Sequence, residues 1–194
     1  MSSRPSLSVA VVMHREPLNN RWQPWRWSPA EVVPHEEPFG TAPRLLHQSD
    51  GKNGAQGEQR WLFPAFNVEL FRDDAAGYYL NLSALEPCWF VHWRMDDEPG
   101  PDGLQLARPV DVSLSYHDAG RWLDAQENVD QLPVPDTVRQ WLQAFVQAHY
   151  EPEPRRRRRP ESFRSLTDRF GNPASVSTGK MRGGGPARGE GGHG

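Results

Sequence analysis

Ser113, Ser115, His117 and Asp118 fall within six residues of one another. Their types could supply a nucleophile, a general base and an acid to orient it, the set that acyl-transfer chemistry requires. The same residues also read as the start of a helix. Ser115 is followed three positions later by an acid, as in a capping box with Asp in place of the usual Glu or Gln, ahead of the apolar Ala119, Trp122 and Leu123. Capping needs fewer coincidences and is the preferred reading. An enzyme with its site near Ser115, His117 and Asp118 stands as the alternative.

Other reactive residue types are poorly spaced for chemistry. Cys88 and His92 are four apart in a strand-like stretch, which separates their Cα atoms by about 13 Å, too far to share one metal ion without a sharp bend. His35-Glu36-Glu37 lacks the second histidine one turn later that a zinc helix needs. Gly179-Lys180 is followed by Met181, and Ala174 stands where a phosphate-binding loop has its first glycine. No G-x-S-x-G elbow occurs. Neither a metal nor a cofactor is expected, and Cys88 reads as a buried structural thiol. Trp22, Trp25, Trp27, Trp61, Trp89 and Trp93, placed on strands, could stack on bases or sugars. Burial of apolar area is the simpler role for most of them.

The elements that would hold these residues occupy the first 150 positions. All eight tryptophans lie there, so only this part can build a substantial core. Leu7 to Met13 is a near-continuous apolar run, which predicts a strand buried on both faces. Trp25 and Trp27 follow in a segment whose Pro24 and Pro29 predict an edge or bulged strand. The polar stretch 47–60 carries three glycines and reads as a mobile loop. FNVELFR and YYLNLSAL flank Asp73-Asp74-Ala75-Ala76-Gly77, which predicts a hairpin with Gly77 at positive φ. CWFVHWR and ARPVDVSLSY predict two further strands. After the helix begun at Ser115, a longer one starts with Asp136 as N-cap. Val138, Trp141, Leu142, Phe145, Val146 and Tyr150 form its apolar stripe, and Pro152 ends it. The expected fold is α+β: an antiparallel β-meander sheet or partly open barrel with two C-terminal helices.

Charge divides the chain at the same place. Residues 1–150 hold 12 Lys and Arg against 20 Asp and Glu, whereas 151–194 hold 10 against 5, so an acidic body carries a basic tail. The tail opens with EPEPRRRRRP, in which prolines and five like charges predict an extended spacer. In segment 162–171, Phe163, Leu166 and Phe170 are spaced i, i+3 and i+7 on one helical face before a Gly-Asn-Pro stop. So short a helix needs a surface to fold upon. Arg155, Arg156, Arg157, Arg158 and Arg159 would speed encounter with an acidic surface, on a partner protein or on the chain's own acidic body, and Phe163, Leu166 and Phe170 would supply the contact. The Gly-rich remainder is expected to be disordered, and its RGG-like Arg182 to Gly185 permits nucleic-acid binding as the second reading. A single cysteine and the lack of any ~20-residue apolar stretch predict a cytoplasmic protein with no membrane partner. The apolar run Leu7 to Met13 leads into His14, Arg15 and Glu16 and does not read as a secretion signal.

Four stretches together are similar to a family. Asn19-Asn20-Arg21-Trp22, Gly77-Tyr78-Tyr79-Leu80-Asn81-Leu82, SLSYHDAGRWLDAQENVDQLPVP and RRRRRPESFRSLTDRFGNPAS resemble an uncharacterised proteobacterial domain-of-unknown-function family, over nearly the whole chain. Its genes are often found beside those for molybdenum-dependent formate dehydrogenase and its accessory factors. The resemblance implies a cytoplasmic bacterial protein serving assembly or maturation of that enzyme, which agrees with the residue-based expectation of a non-enzymatic accessory protein that docks formate dehydrogenase or its maturation machinery through its tail. It assigns no catalytic residues.

Overall fold

The computed structural model describes residues 4–51, 56–99, 103 and 105–152. Residues 1–152 form one compact unit. Its class is α+β, with seven strands in two open antiparallel sheets and three helices among the described residues. The first sheet has the order β2-β1-β4-β3, with β1 Ser6–Pro17, β2 Trp25–Pro34, β3 Arg44–Asp50 and β4 Gln56–Glu69. The second has the order β6-β5-β7, with β5 Cys88–Pro99, β6 Gln105–Ser113 and β7 Asn128–Pro133. The helices are α1 Ala75–Leu82, α2 Tyr116–Asp124 and α3 Asp136–His149.

The apolar run of β1 follows from its place at the centre of the molecule. Val9, Val11 and Met13 face the main core, while Ala10 and Val12 pack on Leu62, Val33 and Phe39 on the opposite side. Alternation in β5 divides in the same way. Trp89 and Val91 enter the main core, and Cys88 and Phe90 turn to Ala119 and Trp122 of α2. Helices α1 and α3 close the core with Tyr78, Leu142, Phe145 and Val146, the rings of Tyr78 and Phe145 meeting edge to face at 5.8 Å. The apolar stripe of α3 is thus spent on the core, as the periodicity predicts. Strand β2 is an edge strand, and its register against β1 slips between Val12 and Met13, which leaves Ala30 as the extra residue beside Pro29.

Four local expectations are corrected, and one strand that none of them anticipated is added. Stretch 47–60 is largely sheet: β3 pairs with β4 through Gln48 and Gln59, and His47 and Arg60. An edge strand exposed along its length is held by backbone hydrogen bonds and requires no apolar pattern, so polar residues hid it. Residues 75–82 are helix and not strand. Tyr78, Leu80 and Leu82 alternate, yet Ala75, Tyr78 and Leu82 also share a helical face, and burial of Tyr78 and Leu82 decided between the periods. Gly77 is accordingly helical and has no positive φ. Asp136 is the first helical residue, with Pro135 as N-cap, so its carboxylate faces the helix dipole from within the first turn. Finally, 128–133 is a strand that pairs with β5, although it shows no alternation that would announce it.

Candidate functional site

The cluster of greatest chemical interest lies where α1, α2 and the end of β6 meet. Ser115 has an extended backbone, and its Oγ accepts the N–H groups of His117 at 3.1 Å and Asp118 at 3.3 Å. The helix start is therefore an N-cap. The reciprocal half of the box is built differently from the usual one. Asp118, one methylene shorter than Glu, accepts from Ser113 Oγ at 2.6 Å, and Ser113 Oγ in turn accepts the Ser115 N–H at 3.0 Å. A hydroxyl relay thus replaces the missing methylene. Arg121 pairs with the other carboxylate oxygen of Asp118.

His117 turns to α1, where its Nδ1 lies 2.8 Å from Asp74 Oδ1. That contact requires the two helices to approach closely. A Cβ on Gly77 would stand 2.5 Å from Ser115 Oγ, 2.7 Å from Asp74 Oδ1 and 3.0 Å from His117 Nδ1, so no other residue fits there without displacement. Asp74 and His117 form the acid–base half of a triad. The hydroxyl that would complete it is fully buried and engaged as a cap. Geometry assigns Ser115 to the fold.

The same junction is anchored by Asn81, a buried polar side chain on α1. Its Nδ2 donates to the carbonyls of Cys88 and Leu114, both at 2.8 Å, and its Oδ1 accepts the Cys88 N–H at 3.0 Å. One amide side chain therefore ties α1 to the start of β5 and the end of β6. Burial raises the Cys88 thiol above its ordinary value. Nearby, burial pushes the Tyr78 hydroxyl up to about 12; its Oη accepts the Phe71 N–H at 3.2 Å.

Cys88 and His92 share a face of β5 but serve separate neighbours. His92 Nε2 lies 3.2 Å from Glu127 Oε2, and its ring stacks on Trp122 at 5.1 Å. Arg94 grips Glu127 with two nitrogens. Those hydrogen bonds, Arg94 first and His92 second, hold the Glu127 carboxyl down at about 2. Among the described residues no three His, Cys, Asp or Glu side chains converge on a metal position. The tryptophans divide. Trp27 and Trp89 are buried, Trp61 and Trp93 pack partly against the core, and Trp22 lies outside any strand, 91% exposed. Arg15 is buried with its guanidinium over Trp25 at 4.6 Å and Trp27 at 5.5 Å, a contact that sequence spacing did not reveal.

The predicted docking residues Arg155 to Arg159, Phe163, Leu166 and Phe170 lie outside the described residues, as does the rest of 153–194. The family described as Protein of unknown function (DUF3305) matches residues 8–159. The chain belongs to this family. Two of the runs that carried the earlier resemblance, Gly77 to Leu82 and the stretch from Ser113 to Pro135, meet at the junction described above, so the DUF3305 match includes both halves of it. The DUF3305 stretch also takes in positions 155–159 and stops short of Phe163. No curated protein and no solved structure matches the chain. Among the described residues no helix is long and apolar enough to cross a membrane.

Proposed function

We propose that this DUF3305 chain is a non-enzymatic accessory protein of proteobacterial, cytoplasmic origin. Its partner is an oxidoreductase of the formate dehydrogenase kind or that enzyme's maturation machinery, docked through residues 155–170. One observation carries the reading. The family stretch continues past the compact unit, which ends at Pro152, and takes in the five arginines up to Arg159. Family positions that lie beyond the compact unit are accounted for by a use outside the fold. The reading is also supported by the Ser115 cluster, whose reactive groups serve as cap and helix contact. In this scheme Arg155 to Arg159 steer encounter with an acidic surface, and Phe163, Leu166 and Phe170 enter an apolar groove beside it.

The test compares the full chain, a chain ending at Pro152, an Arg155–Arg159 charge reversal and a Phe163/Leu166/Phe170 triple alanine. Binding to purified formate dehydrogenase and to its maturation factors is followed by interferometry. The truncated chain should not bind. Charge reversal should slow association about ten-fold or more at low salt, and the alanine variant should speed dissociation. Equal binding by the truncated chain, or none by the full chain to any of these proteins, overturns the proposal. RNA binding, the reading that Arg182 to Gly185 favours, would show instead as a salt-steep gel shift with oligonucleotides.

A further inference from the structure

A cavity of about 560 Å³ opens between the end of β4, the turn before α1 and the end of α3. That volume lies within the roughly 300–1,000 Å³ of small-molecule sites. Its floor is apolar and rigidly held. Leu70 and Phe145 belong to the core, the Leu70 N–H donates to the Pro5 carbonyl at 2.9 Å, and the Phe71 N–H donates to Tyr78 Oη. Phe71 is exposed, and the ring of His149 meets Phe145 edge-on at 4.6 Å.

The rim reverses the charge of the body. Arg4 and Arg72, with the His149 ring beside them, line the cavity against one acid, Asp73, in a body where acids outnumber lysine and arginine by 20 to 12. Among the described residues no carboxylate lies within salt-bridge distance of Arg72. Arg4 reaches Glu69 only at 3.5 Å, with its side chain 66% exposed, and lays its guanidinium over the Phe71 ring at 4.9 Å. So exposed a pair contributes little and yields readily to a better acceptor. The Arg4 guanidinium over the exposed Phe71 ring, with Arg72 on the same rim, matches a flat apolar body bearing one anionic group. The Phe71 ring takes the body by stacking, Leu70 and Phe145 form the apolar wall behind it, and the arginines take the oxygens by bidentate hydrogen bonds.

We propose that this cleft is a binding site for a small organic anion: a flat, apolar molecule carrying a carboxylate or a phosphate. The inference stands apart from the tail and does not rest on the docking reading. It is tested on the full chain by calorimetry with 2-naphthoate and 2-naphthyl phosphate as probes, and with 2-naphthol and inorganic phosphate as controls. The two anionic probes should each saturate one site, the tighter of them naming the anionic group, and both should bind at least about ten-fold more tightly than either control. Amide resonances of Leu70, Phe71 and Phe145, and the methyl resonances of Leu70, should shift with them. Arg72→Gln should weaken both probes about five-fold and Arg4→Gln with Arg72→Gln more than ten-fold, whereas Arg155–Arg159→Gln should leave them unchanged. Equal binding of 2-naphthol would reduce the cleft to an apolar patch, and equal binding of inorganic phosphate to a generic cation cluster. Either result, unsaturable binding, or loss of binding only in the Arg155–Arg159 variant overturns the proposal.

Discussion

The junction of α1 with α2 and the cavity at the end of α3 use polar side chains in opposite ways. Toward α2, the polar groups of Ser113, Ser115, His117, Asp118, Asp74 and Asn81 are engaged with another part of the chain, and the space between the helices admits nothing larger than Gly77. Toward the end of α3, Arg4, Arg72 and His149 surround an open cavity, and Arg72 has no acidic partner among the described residues. The first region has the residue types of a catalytic site and uses them as scaffold. The second has ordinary surface types and leaves them available. What distinguishes a site from a structural cluster is whether its hydrogen-bonding capacity is already satisfied within the fold.

That contrast is most severely tested at Asn81. Asn81→Ala would leave the Cys88 N–H and two carbonyls without their buried partner, and should cost roughly 3–5 kcal/mol in urea unfolding. A variant near wild-type stability would show that the junction is not the anchor described. Gly77→Ala comes next. Helix propensity alone predicts a gain approaching ~1 kcal/mol, yet the contacts awaiting a Cβ should turn it into a loss of about 1–3 kcal/mol. Ser115→Ala should lose about 1–2 kcal/mol as a broken cap. It should leave partner binding unchanged; loss of a cellular function at full stability would restore the enzyme reading.

A smaller effect is expected from pH. Glu127 has its carboxyl held at about 2 against an ordinary 4.5, so the stability it contributes is fully present above 4.5 and disappears as pH falls toward 2. Denaturation midpoints of wild-type protein should therefore fall more steeply across that interval than those of Glu127→Gln, and coinciding curves would remove Glu127 from the account. The smallest change in stability belongs to Arg72→Gln, within about 0.5 kcal/mol of wild type. A large loss there would mean that the cavity rim is also scaffold and that the contrast is false.

Much of the fold was legible because it is written in local patterns. The doubly buried run of β1, the proline-marked edge of β2, the serine cap of α2 and the stripe of α3 each follow from residues close together in the chain. Where two periods competed, as in Tyr78 to Leu82, or where a strand buries little, as in β3 and β7, local pattern could not decide. The cap at Ser115 was visible, whereas the burial of its hydroxyl beneath α1 was not. That depends on Asp74 and Gly77, about forty residues earlier, lying against it.

From the amino-acid order alone come the α+β class, the acidic body with its basic tail, the N-cap of α2 and the lack of any familiar catalytic spacing. Only the tertiary structure decided that Asn81 ties α1 to the start of β5 and the end of β6 at one end of the second sheet, that Arg15 lies over two indoles, and that Arg4, Arg72 and His149 share one cavity. Helix and strand periods are set by neighbours within a few positions. Hydrogen-bond partners and cavity walls are set by which distant segments the burial of apolar faces brings together, and no local pattern encodes that choice.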